Sequence, residues 1–372
     1  MLNTAKKIIK PEKAGLFRTI FIYTGQGEST LMAISTGSNV DDYCYVLIDS
    51  DEDKEPQEVT LVKMLKDLFP DGEKLFAFIN THPHKDHLKG VKEIYNQIGI
   101  SEVWHSNHKP SGQHDEVYQE LKYVLDKVGK SNEYHLKGSN DLNKIRKYNE
   151  DEIIKKLGNI DYQVLSPAEY VCDNIDGEDE DARYQRIHEQ CAVLRFSYKG
   201  KHILITGDSD RKAWEEHITD YHKDNLVAQV LSASHHGSRT FFKKDKDDKE
   251  PYEKHIQTIN PTCLVISAPK QKESIHYEHP HDDALELYRK HVKEANIYHL
   301  GNEDGEPYCL IVDIDRDGKL SIRKDYELIK AYGKPDPEKE KKEKEEKEKQ
   351  QAEIHRKNVL VTYAIHAKPY RY

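Results

Sequence analysis

The chain has 372 residues, enough to bury a sizeable core in one large α/β domain or two ordinary ones. Its 36% hydrophobic and 33% charged content, with 21 His and 23 Tyr, describes a polar globular protein and excludes a disordered chain. A formal net charge of -10 counts against broad grip on long nucleic acid, and no apolar run approaches the roughly 18 residues of a membrane span, so a cytoplasmic protein with no membrane partner is expected.

Apolar and β-branched runs predict strands at 16–23, 30–34, 43–48 and 75–80. Between the last two, Val59, Leu61, Val62, Met64, Leu65 and Leu68 recur at helical spacing, and a further helix is predicted over 88–97 with Asp86 near its N-cap. The polar stretch 105–160 reads as a helical insert, with Val117, Leu121, Val124 and Leu125 marking one helix and the charged residues after it a second. A strand at 162–165 follows, then a hairpin of 192–198 and 202–206 across the turn Lys199-Gly200-Lys201, then strands at 226–233, 263–267, 297–300 and 308–312. The main domain is placed at 1–330. In the tail, 331–372, a Glu/Lys run reads as a solvated helix, with a protein-partner site as the alternative. The apolar, Tyr-rich end of that tail is expected to add a strand to this sheet or to a neighbour's.

Five cysteines, Cys44, Cys172, Cys191, Cys263 and Cys309, are scattered and never paired as Cys-x-x-Cys, so a metal must be held by His and carboxylate. The strand 75–80 delivers such a set within a few residues of its end: Thr81-His82-Pro83-His84-Lys85-Asp86-His87. Imidazoles clustered with a carboxylate suit zinc or a similar divalent ion, which needs three or four protein ligands and an open position for catalysis. Surface histidines of a polar protein are the plain alternative, and the spacing and the preceding strand weigh against it.

This His-x-His-x-Asp-His segment resembles the metallo-β-lactamase superfamily, and the likeness runs over roughly residues 16–322. Within the superfamily the chain is most similar to the hydrolase domain of the ComEC DNA-uptake proteins, here free-standing and without the membrane channel. Tyr23-Thr24-Gly25-Gln26-Gly27-Glu28-Ser29 resembles that branch's glycine turn between the first strands, and by itself is a structural turn. Val46-Leu47-Ile48-Asp49-Ser50 is similar to the strand whose terminal Asp supports the metal loop from behind its ligands. Ile205-Thr206-Gly207-Asp208 and Ser234-His235-His236-Gly237-Ser238 resemble two further strand-end motifs, and Tyr277-Glu278-His279-Pro280 resembles a segment whose His approaches substrate.

The resemblance implies an αββα sandwich, two mixed β-sheets flanked by helices, holding two divalent ions, zinc or alternatively manganese. His82, His84 and His188 would hold the first ion, and Asp86, His87 and His235 the second, with Asp208 between them. His188 is either that third histidine or a loop histidine without a metal role, and His235 and His236 compete for one ligand position. Asp86, His236 and His279 form the expected catalytic set, the histidines as proton donors to the leaving group. Ser238 and Arg239 are candidates for binding a phosphate oxygen. The implied activity is a phosphodiesterase or nuclease that turns metal-activated water on a short nucleic acid or nucleotide-like diester. The alternatives are a carboxylic ester, lactone or thioester hydrolase, or a subunit of a multiprotein assembly.

Overall fold

A computed structural model describes residues 3–52, 55–70, 72–110, 115–173, 179, 182, 186–274, 277–335 and 341. Its first sheet begins with an antiparallel run of β1 (Phe17–Phe21), β2 (Thr30–Ser35) and β3 (Tyr43–Ile48). A two-residue strand, β4 (Ser50–Asp51), bridges to Leu88 and Lys89, and β5 (Leu75–Asn80), β6 (Ile100–His105) and β7 (Glu133–His135) then extend the sheet parallel to β3. β8 (Lys144–Lys147) and β9 (Glu152–Ile154) finish that edge antiparallel. The second sheet runs β10 (Asp161–Ser166), β11 (Val193–Tyr198), β12 (Lys201–Ile205), β13 (Val230–Ser232), β14 (Cys263–Ile266) and β15 (Ile297–His299), and is parallel from β12 onward. The chain then returns to the first sheet, where β16 (Cys309–Ile314) pairs with β1 and β17 (Leu320–Asp325) forms the edge of ten strands.

Strand periodicity assigns the layers. Along β12, Ile203 and Ile205 enter the core shared with Leu194, Phe196, Ile20 and Phe78, whereas Leu204 turns to Trp214, Phe241 and Tyr288 on the helical side. The first sheet carries its own helices: α1 (Thr4–Ile9), α2 (Leu61–Leu68), α3 (Lys85–Leu88), α4 (Val91–Gln97) and α5 (Asp115–Val128). α2 buries Leu61, Val62, Met64, Leu65 and Leu68, the stripe its spacing predicts. Two mixed sheets flanked by helices thus form the expected sandwich. No helix among the described residues is long and apolar enough to cross a membrane.

Two local expectations are corrected. The single helix over 88–97 is broken, because Gly90 adopts φ 85° and separates α3 from α4; Asp86 therefore lies in the first turn of α3, whose N-cap is His84. The second helix expected after α5 is replaced by β7, β8 and β9. The charges there are cross-strand partners, with Lys144 and Arg146 of β8 bound to Glu152 of β9 at 2.7 and 3.0 Å. Of the tail, most of the Glu/Lys run and the whole apolar end lie outside the described residues.

Candidate metal centre

Parallel strands end on a common rim, and loops leaving those ends can aim several side chains at one point. β5 ends at Asn80 and releases the segment 81–87; β3 ends just before Asp49; β12 ends before Thr206-Gly207-Asp208; β13 ends before Ala233-Ser234-His235-His236. The segment 186–190, which carries His188, leads into β11 and is tied down where the Ala192 N–H donates to the Thr81 carbonyl at 2.8 Å. Gly207 is needed for this closeness. Its φ is 47°, and a Cβ there would lie 2.6 Å from Cys191 Sγ and 2.7 Å from Thr81 Oγ1.

Two groups of candidate ligands result: His82, His84, His188 and Asp208, and Asp86, His87, His236 and Asp208, each with its donor atoms within 4.8 Å of one another. Asp208 belongs to both. Its Oδ2 faces His82 Nε2 at 3.5 Å and His188 Nε2 at 4.0 Å, while Oδ1 faces His87 Nε2 at 3.1 Å and His236 Nε2 at 3.7 Å. Asp86 Oδ2 lies 3.3 Å from His236 Nε2.

The hydrogen bonds behind the ligands settle where the imidazole protons sit. Asp49 Oδ2 accepts from the Thr81 hydroxyl at 2.6 Å, so Thr81 Oγ1 is left as an acceptor for the His82 Nδ1–H at 3.1 Å. The same Asp49 oxygen accepts from His87 Nδ1 at 2.8 Å, and the Ser267 carbonyl accepts from His236 Nδ1 at 2.9 Å. Each ring is thereby held with its Nε2 toward the centre. The Nε2 atoms of His82, His87, His188 and His236 and both oxygens of Asp208 are buried without a hydrogen bond of acceptable geometry. Such a concentration of unsatisfied donor atoms is costly unless a cation completes it, so the residues fit a divalent metal.

Another histidine group shows the contrast. His105, Glu133 and His135 lie together at the ends of β6 and β7, but the Asn107 N–H donates to His105 Nδ1 at 3.1 Å, which places the His105 proton on Nε2, facing Glu133 at 3.2 Å. That group is closed on itself.

Charge balance follows the geometry. Burial would raise the Asp208 carboxyl, yet His235, His87, His236 and His82 outweigh it and hold the group well below the usual carboxylate range. Burial lowers His82 well below an ordinary imidazole. His87 and His236 are pushed down by burial too, but neighbouring carboxylates prevail, raising His87 well above its usual value and His236 to about 9.

The remaining expected site residues divide. Asp49 sits behind His87 and Thr81 as described. Of the two histidines expected to compete for one ligand position, His236 lies in the group with Asp86 and His87. His235 and His236 both adopt left-handed backbone, φ 51° and 57°, and this turn, with the Ser267 carbonyl, directs His236 inward. His235 bonds Thr240 Oγ1 through Nδ1 at 3.2 Å and brings Nε2 to 3.5 Å from Asp208 Oδ2. His279 is buried beside them, and burial with His236 and His281 nearby pulls its pKa down to about 3. Ser238 is buried and accepts from the Thr240 N–H, and Arg239 pairs through Nε with Asp283 at 3.2 Å.

Sequence reading passed over Cys191, whose Sγ accepts from the Asp208 N–H at 3.2 Å, and Glu28, whose buried carboxyl is pushed up to about 7 beside His87 and Asp49. Glu28 lies in the glycine turn of residues 23–29, which by itself reads as a structural turn. Glu28 is buried, and its N–H donates to the Asp86 carbonyl at 3.1 Å.

Residues 44–175 match the family model of the Metallo-beta-lactamase superfamily, a span that contains His82, His84, Asp86 and His87 but ends before His188, Asp208 and His236. That likeness covers 132 of the 372 residues, 44 to 175. Among solved structures the chain is similar to Igni18, a metallo hydrolase from Ignicoccus hospitalis KIN4/I, with 13% identity over 83% of this chain and 98% of the other and a TM-score of 0.41. It is also similar to zinc-bound PqqB from Methylobacterium extorquens (9% identity, 78% and 99% coverage, TM-score 0.40). CmlA, a diiron β-hydroxylase from Streptomyces venezuelae, is at 10% identity, 78% and 53% coverage, and TM-score 0.40. A comparison with curated proteins gives no match.

Proposed function

We propose that the chain is a binuclear metal-dependent hydrolase of small or short phosphodiesters. The observation that carries the binuclear reading is Asp208, whose two oxygens each face a different ligand group. His82, His84, His188 and Asp208 would hold one ion, and Asp86, His87, His236 and Asp208 the other; the all-N/O donor set suits zinc, with manganese as the alternative. Divalent ions in such a pair supply a water activated for attack at neutral pH and an electrostatic clamp on the substrate's oxygens.

The chain's own residues supply orientation and a hydrogen-bond donor. The Gln26 amide donates to His279 Nδ1 at 3.0 Å, and its carbonyl accepts from the Ser274 hydroxyl at 3.1 Å, while Ser274 Oγ accepts from the His279 N–H at 3.1 Å. This closed set fixes the His279 proton on Nε2. A neutral imidazole with a fixed Nε2–H is a hydrogen-bond donor to a substrate or leaving-group oxygen.

The phosphodiester assignment is supported by the narrower resemblance of the Asp208 and His235-His236 segments to ComEC-type hydrolases. The preference for a small diester is supported by the acidic net charge and by the pairing of Arg239 and Lys243 with Asp283, which leaves less positive charge near the site for a long polyanion.

Zinc- and manganese-loaded protein assayed on a panel of dinucleotides, chromogenic diesters, long duplex DNA, carboxylic esters and lactones tests this reading. Metal-dependent cleavage of the small diesters is expected. Turnover confined to esters or lactones, or undiminished by chelation, contradicts it.

A further inference from the structure

His188 differs from the other candidate ligands in how it is held. Thr81 stands behind His82, Asp49 behind His87 and the Ser267 carbonyl behind His236, whereas the His188 ring makes no hydrogen bond among the described residues. It packs edge-on to His84 and obliquely on His235, with ring centroids 5.0 and 4.4 Å away. Nor does regular secondary structure fix it, since 186–190 is a turn. The position of its Nε2, 4.0 Å from Asp208 Oδ2, must therefore be set through the backbone.

The next residue is a buried carboxylate. Glu189 is 3% exposed and accepts three charge-assisted hydrogen bonds: from His217 Nε2 at 2.8 Å, Lys212 Nζ at 3.0 Å and Arg186 Nε at 3.2 Å. Arg186 closes the turn on itself. Lys212 and His217 belong to the segment that starts just after Asp208 and continues into a π-helical stretch, Ala213–Ile218. That stretch is anchored to the Asp208 loop a second time, because Trp214 Nε1 donates to Ser209 Oγ at 2.9 Å. His217 is braced in turn through Nδ1 by the Tyr170 hydroxyl. Glu189 thus ties the turn bearing His188 to the element that follows Asp208, which fixes the separation of two ligands of one ion.

We propose that Glu189 is the positioning residue for His188, acting through its clamp on Lys212 and His217 and without itself touching the ion. This rests on the reading of His188 as a ligand. Outer partners of metal ligands commonly govern affinity by roughly 10–100-fold, and here the outer partner lies beside the ligand in the chain rather than on its ring.

The test is calorimetric titration of zinc into the chelator-stripped full-length protein, with thermal melts as a control of folding. Glu189→Ala is expected to weaken one of two binding events by roughly 10–100-fold and to leave the other unchanged. In a His188→Ala background the same substitution is expected to change neither, an outcome that a merely structural role would not give. His217→Gln, which removes one of the three donors and leaves the carboxylate in place, should weaken the same event by less, and it decides the matter if Glu189→Ala does not fold. The proposal is overturned if His188→Ala weakens one event while Glu189→Ala and His217→Gln leave both untouched. If His188→Ala itself changes nothing, the reading of His188 as a ligand fails first.

Discussion

His82 offers Nε2 to the centre because Thr81 Oγ1 accepts a hydrogen bond from its Nδ1–H, and Thr81 can do so because its own hydroxyl proton is donated to Asp49. Asp49 also accepts from His87, so one carboxylate orients two rings. Asp49→Ala is accordingly expected to weaken zinc binding by roughly 10–100-fold, measured by competition with a chromogenic chelator; unchanged affinity would show that ring orientation does not depend on it. At this scale the sequence was partly legible. A strand followed by His82, His84, Asp86 and His87 announces a metal loop through spacing alone. Which of His235 and His236 faces Asp86 was not legible, because it depends on two left-handed backbone positions and on a carbonyl supplied by the loop after β14. Glu28 and Glu189 look like ordinary polar turn residues until tertiary contacts bury them.

Elements were read best where burial matched periodicity. β1 and β2 are buried along their whole length and α2 along one stripe, and both patterns stand out in the sequence. Leu65, fully buried in α2, should cost about 2–5 kcal/mol when replaced by alanine, read as a shift in the denaturation midpoint; a loss under 1 kcal/mol would contradict the packing described. β7, β8 and β9 were not legible because they are short and polar; β7 is buried along its length, whereas β8 and β9 are mostly not and are held by pairing. Gly207 joins the element scale to the site. Gly207→Ala would force a Cβ against Cys191 and Thr81 in a backbone conformation that disfavours side chains, so it should lower both the melting temperature and the metal content. Normal metal content in that variant would mean that the Asp208 loop has room the geometry denies.

Across the whole molecule, two sheets place the ends of their parallel strands together, and the site exists only where loops from both meet. Histidines far from it set the acid limit of the fold. Burial holds His202 and His222 down to about 4 and His255 well below its ordinary value, so each stays neutral in the folded protein at a pH where the unfolded chain is already protonated. Below about pH 6.5 the unfolded state binds more protons, and stability falls with falling pH until the folded groups also titrate. His255 lies among Trp214, Phe241, Phe242 and Tyr252, a setting that accepts a phenyl ring. His255→Phe should therefore gain stability relative to the native chain as the pH drops from 8 to 5; a difference that does not change with pH would contradict this.

The central claim is that Asp208 is shared between two ions. Counting divalent ions per chain by mass spectrometry, in the native protein and in Asp208→Ala that melts cooperatively, tests it most directly. The expected result is about two ions per native chain and loss of both or nearly both in the variant. A single ion in the native protein, or an undiminished count in Asp208→Ala, would contradict it.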